Sequence, residues 1–238
     1  MLPKQPNQSL IEGIRCLQGV VSANSPLGAS EVARSLEIEL TKAHRLLRTL
    51  AHMGLLRQNA DRKFSAGPGL SVLAAQAMQG SHLLQAALPA LESLRRETPY
   101  IVAMGVLWLR SVTFVYHARH KSSLEKAIGG HDLLPATNSG LGMALLSQHS
   151  DEAVSALYAT EPPAQGIPAL LESLQEIRRE GYAYITTSPT TVTLAIPLSS
   201  HKDAAIGVSG GISREEIPPI LDRLRVAAEE ISSQAHST

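Results

Sequence analysis

With 238 residues, 44% of them hydrophobic, the chain has enough apolar content for two packed cores, which excludes it from the disordered class. Aromatic residues make up 3% and there is one cysteine, Cys16, which excludes a stacking platform for single-stranded nucleic acid, an internal disulfide and a cysteine-based zinc site. The formal charge is zero but unevenly spread: nine lysines and arginines face five acids up to Gly80, and twelve face sixteen beyond it, as in a chain whose first part meets a polyanion.

The chain opens on the polar stretch MLPKQPNQSL, which has no apolar core of a secretory signal, and no apolar run reaches the roughly 18 residues of a membrane helix. The expected location is the cytoplasm, with no membrane partner. Ser9-x-x-Glu12 reads as a capping box, and Leu10, Ile11, Ile14, Leu17, Val20 and Val21 then recur at helical spacing as one apolar face, with Cys16 on its flank as a structural residue. Ser25-Pro26-Leu27-Gly28 breaks the chain. A short helix over Ala29 to Leu36 buries Val32, Ala33 and Leu36, and a turn over Glu37 to Leu40 leads to a third helix with Thr41 as its N-cap.

That third helix reads TKAHRLLRTLAHMG, with Ala43, Leu46, Leu47, Leu50 and Met53 as its buried stripe and Gly54 at its C-terminus. Its other face carries Thr41, Lys42, His44, Arg45, Arg48 and Thr49, which suits a recognition helix in a major groove. Two short strands follow, Leu55 to Gln58 and Lys63 to Ser65, around a tip at Asn59-Ala60-Asp61-Arg62. This is the pattern of a wing, with Arg57, Arg62 and Lys63 available to the DNA backbone or minor groove. A single basic helix face is most often merely solvated; three helices, a hairpin and concentrated charge together favour DNA.

The string AHRLLRTLAHMGLL, preceded by ASEVARSLEI, resembles the recognition region of the IclR family of bacterial regulators, whose typical pattern is S-T-A-H-R-L-L-x-T-L-x-x-x-G-x-[LV]. The resemblance spans Ala29 to Leu70. Where that family often has a proline and Lys-Ser, this chain has Glu39, Leu40 and Thr41, so its operator sequence is expected to differ.

Beyond the break at Gly67-Pro68-Gly69, an alanine-rich helix over Leu70 to Met78 reads as a linker, and the resemblance implies that it helps pair two DNA-binding domains. Gly80-Ser81 punctuates it. A helix from Ser81 to about Glu97 contains Pro89, which is expected to kink it or mark its real start. Tyr100 to Trp108 and Val112 to Ala118 form a hairpin; Leu141 to Ser147 is a short helix; Pro168 to Gly181 is a longer one with Leu170, Leu171, Leu174 and Ile177 inward. Tyr182 to Thr186, Val192 to Leu198 and Ala205 to Ser209 are strands. Ser213-x-x-Glu216 caps a last helix that buries Ile217, Ile220, Leu221, Leu224, Ala228 and Ile231.

SGLGMALLS, IRREGYAY, VTLAIPL and IGVSGG are similar to successive segments of the IclR effector domain, which implies a GAF-like α/β fold. The expected fold class is α+β: a winged helix-turn-helix over residues 1–69, a linker helix over 70–80, and an effector-binding and oligomerisation domain with an antiparallel sheet over 81–238. The resemblance places a small organic or aromatic acid between the sheet and the loop before the short helix, where free amides at a helix N-terminus attract a carboxylate. The corresponding residues are Met104, Gly105, Ser139, Gly140, Leu141, Thr193 and Ser209, with Ala103 to Gly105 along one wall. Thr193 stands where that family has a cysteine, so effector identity does not transfer. The stretch between Leu146 and Pro168 is shorter than in the family, which trims a pocket wall or leaves the domain without a ligand.

Among His117, His120, His131 and His149 only His117-x-x-His120 has paired spacing, so neither a metal nor another cofactor is expected. Ser209, His201 and Asp203 are triad residue types, but no nucleophile elbow surrounds Ser209 and no catalytic residue is expected. The resulting expectation is a non-enzymatic regulator, a homodimer or homotetramer binding near-palindromic double-stranded operator DNA under the control of an organic or aromatic acid. Two rivals stay open: a regulator whose second domain only dimerises, and a GAF-like ligand-binding or catalytic protein whose first domain binds a protein partner.

Overall fold

The computed structural model describes residues 6–80, 83–119, 121–128, 133–199 and 201–235. The chain divides into two compact units, Met1–Ser81 and His82–Thr238.

The first unit runs α1 (Gln8–Val21), α2 (Ala29–Leu36), α3 (Leu40–His52), β1 (Leu56–Gln58), β2 (Phe64–Ala66) and α4 (Pro68–Gly80). Its core joins Cys16 and Val20 of α1 to Val32, Leu47, Leu50, Leu56 and Phe64. Three local expectations change. Asn7 caps α1, its Oδ1 accepting from the Leu10 amide at 3.0 Å, so Ser9 lies inside the first turn and no Ser9–Glu12 box forms. The side of α1 that meets the core carries Glu12, Gly13, Cys16 and Val20, while Leu10 (65% exposed), Ile11, Ile14 (42%) and Val21 face outward. The core-facing side lies against α3: a Cβ on Gly13 would stand at an ordinary contact distance of 3.8 Å from Leu46 Cδ2.

The third change is at α3. Glu39 holds the N-cap position without a side-chain bond, and Thr41 is the second helical residue rather than the cap. Ala43, Leu47 and Leu50 are buried as expected, but Met53 is 63% exposed because the helix ends at His52 and Gly54 turns the chain with φ +73°. β1 and β2 pair antiparallel, and Leu27 bridges to Phe64 beside them. α4 starts at Pro68, whose missing amide is harmless at a helix start.

The second unit comprises α5 (Leu83–Glu97), β3 (Ile101–Trp108), β4 (Ser111–Ala118), α6 (Leu124–Ala127), β5 (Leu134–Pro135), α7 (Gly140–Leu146), α8 (Asp151–Tyr158), α9 (Ile167–Glu180), β6 (Ala183–Ser188), β7 (Thr191–Leu198), β8 (His201–Gly210) and α10 (Ile217–Ala235). The strands form one antiparallel sheet in the order β5-β4-β3-β8-β7-β6. Strand alternation splits its core in two. Val102, Met104, Leu194, Ile196, Ile206 and Val208 pack with α5 and α10. Ala103, Ala195 and Ala205 pack with α7, α8 and α9, and their small size lets α7 lie close to the sheet. Pro89 sits within a continuous α5 and does not mark its start; the punctuating Ser81 lies outside the described residues.

α8 was not anticipated. Ser150 caps it, accepting from the Ala153 amide at 3.3 Å, and Val154 and Tyr158 bury its inner side. Arg178 of α9 then ties this region down, donating to Ser147 O at 2.8 Å, His149 O at 2.7 Å and Asp151 Oδ1 at 2.7 Å. The Arg178 guanidinium, first among several contacts, holds the Asp151 carboxyl below its ordinary range. Among the described residues no helix is long and apolar enough to cross a membrane.

Candidate DNA interface and effector site

The outward face of α3 presents Thr41, His44, Arg45, Arg48 and Thr49, all exposed. The Thr49 hydroxyl donates to Arg45 O at 2.9 Å, so it serves its own helix. Lys42 is different: its ammonium meets Glu12 Oε2 of α1 at 2.5 Å and is only partly exposed.

The wing is shaped by its own polar groups. Asn59 Oδ1 accepts from the Lys63 amide at 2.9 Å, Gln58 Nε2 donates to Arg62 O at 3.1 Å, and Arg62 takes φ +59° at the tip. Arg57 Nε donates to Ser65 Oγ at 3.1 Å across the hairpin. Lys63 lies 3.8 Å from Glu31 Oε2, an exposed pair that a phosphate can readily replace. Among the described residues no carboxylate pairs with Arg45, Arg48, Arg57 or Arg62.

In the second unit, Gly105, Ser139, Gly140, Leu141, Thr193 and Ser209 gather on the α7 side of the sheet. Met104 does not join them: strand alternation turns it to the opposite face, fully buried beside α5 and α10. Ser139 caps α7 through its hydroxyl, at 3.4 Å from the Gly142 amide. Thr193 Oγ1 and Ser209 Oγ share a hydrogen bond of 2.7 Å between paired positions of β7 and β8.

These residues are packed against one another. A Cβ on Gly140 would stand 2.6 Å from Thr193 Cγ2, and one on Gly105 would stand 3.1 Å from Leu141 Cδ2. Ser139, Leu141 and Thr193 are buried. Open volume lies beside Ser209 instead, in a cleft of about 520 Å³ lined by Pro99, Tyr100, Ile101, Arg119, Lys121, Gly210 and Gly211. Its aromatic wall is fixed: Tyr100 OH donates to Glu216 Oε1 at 2.6 Å, and the ring lies over Gly210, where a Cβ would meet Tyr100 Cδ1 at 2.6 Å. Glu216 also accepts from the Ser213 amide and hydroxyl, closing the expected capping box at α10. The Tyr100 bond, then Ser213, holds the Glu216 carboxyl down at about 2, while Glu216 pushes the Tyr100 phenol up to about 12. Sequence reading did not single out Tyr100, Arg119 or Lys121; their only signal is a pair of cations just beyond the end of a strand.

Ser209 does not join His201 and Asp203. The three lie on one strand, and Asp203 and Ser209 are six residues apart, roughly 20 Å of extended chain. Among the described residues no group of histidine, cysteine and acidic side chains could hold a metal ion, and His120 and His131 lie outside them.

Fold and surface together define a winged helix-turn-helix joined to a GAF-like α/β domain, a two-part regulator of transcription. The model of the IclR helix-turn-helix domain matches residues 14–60, and that of the bacterial transcriptional regulator IclR C-terminal domain matches residues 75–233. The chain belongs to the IclR family, whose members are regulators and not enzymes. It is 28% identical to the transcriptional repressor IclR of Escherichia coli K12, over 87% of this chain and 81% of that one. It is 27% identical to the HTH-type transcriptional regulator BhcR of Paracoccus denitrificans, over 92% and 87%. Among solved structures, an IclR family regulator from Brucella abortus superposes with a TM-score of 0.79 at 22% identity, covering 98% of this chain and 94% of that one. An IclR homologue from Microbacterium hydrocarbonoxydans, complexed with 4-hydroxybenzoate, superposes at 0.71 and 22%, covering 97% and 100%.

Proposed function

We propose that the protein is a cytoplasmic regulator that binds near-palindromic operator DNA as a homodimer, or a pair of dimers, and that an organic acid changes its operator affinity. One observation carries the DNA half: Arg45 and Arg48 on α3 and Arg57 and Arg62 on the wing are exposed, with no carboxylate partner among the described residues, in a single small unit. The N-terminal turns of α3 would read base edges, and the arginines would contact phosphates or guanine.

Pairing of two copies is supported by Leu10, Ile11, Ile14 and Val21, large apolar residues exposed on the outward side of α1. α4 adds exposed Val72 and Leu73. An acid effector is supported by the cleft at Ser209, where Arg119 and Lys121 supply positive charge beside a rigid aromatic wall. The groove lined by Glu176, Glu180, Tyr182, Tyr184 and Arg214 is a poorer partner for an anion, since its two carboxylates outnumber its one cation. A relative in fold binds 4-hydroxybenzoate, an acid of suitable size.

The contact of Thr193 with Gly140 favours a second reading, in which the sheet domain only assembles the oligomer. Fluorescence anisotropy with duplex DNA from beside the protein's own gene, with and without aromatic and aliphatic acids, separates these. Nanomolar, salt-sensitive binding shifted by an acid supports the full reading. Binding that no acid moves supports assembly alone, and absence of specific binding refutes the DNA half.

A further inference from the structure

Glu12 is an acid on the core-facing side of α1, which it shares with Gly13, Cys16 and Val20, and is only 7% exposed. A carboxylate in such a place is costly unless a cation answers it. Its Oε1 accepts a long bond from Gln8 Nε2 at 3.3 Å. Its Oε2 is sealed from solvent with no well-aligned hydrogen-bond donor, and the Lys42 ammonium at 2.5 Å is what compensates it.

Lys42 has no local reason for its position. It is the third residue of α3, in the first turn, where the helix dipole disfavours a cation. That first turn also lacks its usual anchor, since the N-cap residue Glu39 makes no side-chain bond. The ion pair therefore does what a cap does elsewhere, and it does so by tying α3 to a neighbouring helix. Because the outward stripe of α1 is where a second copy is expected to pack, the pair connects that face to the end of α3 that enters the groove.

We propose that Lys42 is a positioning residue: paired with Glu12, it fixes the first turn of the recognition helix against α1 and makes no contact with DNA phosphates. This reverses the sequence expectation for Lys42, and it rests on the DNA-binding reading above.

The two roles predict opposite results. A duplex is first selected by the wild-type protein from a random pool, and anisotropy then gives its affinity between 50 and 200 mM salt, a range in which each phosphate contact registers clearly. Lys42→Met, Glu12→Gln, their double variant, Lys42→Arg and, as a phosphate-contact reference, Arg45→Ala are compared well below their melting temperatures. Positioning predicts that Lys42→Met and Glu12→Gln each weaken binding about tenfold, the scale of coupling within a shared network. The double variant, which leaves no unpaired buried charge, binds no more weakly than either single one, and Lys42→Arg stays near wild type. The slope of log affinity against log salt is unchanged in Lys42→Met and shallower in Arg45→Ala.

A phosphate contact predicts otherwise: a slope shallower by about 0.9 per contact in Lys42→Met, and Glu12→Gln binding as well as wild type or better. Either result overturns the proposal. Should the wild-type protein select no duplex, the DNA-binding reading itself falls, which is a separate outcome from a selected duplex whose affinity Glu12→Gln leaves intact.

Discussion

Gly142 and Gly19 are both helical glycines, yet the structure assigns opposite signs to the same substitution. A Cβ on Gly142 would stand 2.3 Å from Ala136 O and 2.5 Å from Ala136 Cα. Both are backbone atoms of the turn that leads into α7, so relief requires the chain to move by about 1 Å to reach ordinary contact. Overpacking of this kind costs about 1–3 kcal/mol and occasionally more, against about 1 kcal/mol gained from alanine's helix propensity. Contact with unyielding backbone places Gly142→Ala near the upper end, a net loss of about 2 kcal/mol. For a unit the size of His82–Thr238 that lowers its melting temperature by about 4–8 °C. A Cβ on Gly19, in α1, meets nothing within 4 Å. Near a helix end only part of the propensity gain is realised, so Gly19→Ala should stabilise Met1–Ser81 by about 0.5 kcal/mol, or about 2–4 °C. Calorimetry on the full chain, following the two units as separate transitions, checks both signs. A Gly142→Ala protein as stable as wild type would refute the claim that glycine is what lets α7 pack against the turn that leads into it.

Arg45→Ala should weaken operator binding about 100-fold or more across the two copies of a dimer while leaving the melting temperature within about 4 °C; unchanged affinity in the anisotropy assay would remove α3 from the groove. Ile14→Glu places a charge on the outward stripe of α1 at little cost to the fold, and should weaken binding to a duplex with two half-sites at least tenfold relative to one half-site. Equal affinities in that comparison would exclude the stripe from the pairing surface. Glu216 has its pKa depressed from 4.5 to about 2, so its contribution is complete above pH 4.5 and is lost as pH falls toward 2. The stability difference between wild type and Glu216→Gln, followed by chemical unfolding from about pH 6 downward, should therefore shrink across that window; a constant difference would show that the Tyr100 and Ser213 bonds do not bias the charged form.

The hairpin, α9 and α10 of the sheet domain were legible because each carries a strong local signal: β-rich runs at Tyr100 to Trp108 and Val112 to Ala118, Pro168 and Gly181 around α9, and Ser213-x-x-Glu216 before α10. α8 was hidden because its pattern is short and its anchor is Arg178, more than twenty residues further along the chain. Met104 was misplaced for a related reason. The residues that resemblance selects are neighbours along β3, but consecutive strand residues point to opposite faces, so Gly105 reaches α7 and Met104 cannot. The cations of Arg119 and Lys121 escaped notice because nothing local distinguishes them from any solvated pair; only the pairing of Ile101 with Ser209 brings the strand ends together beside them.

α1 is the most informative element, because its apolar face divides: Val20 and Leu17 meet the core while Leu10, Ile11, Ile14 and Val21 do not. Periodicity reports that a helix has an apolar stripe; it does not report what covers the stripe. In α1 the side that meets the core is poor in large apolar residues. Gly13 and Cys16 are buried on that side, and the Lys42 ammonium compensates Glu12 there. Leu10, Ile11, Ile14 and Val21 are left outside, while Leu17 packs partly against the core, so the outward side keeps an apolar stripe that suits a neighbouring helix. A helix that needed only the core would have no use for this second face, and leaving it wet would cost solubility. On the proposed reading the two faces divide the work: the Glu12–Lys42 side sets α3 against α1, and the exposed side is left for a second copy.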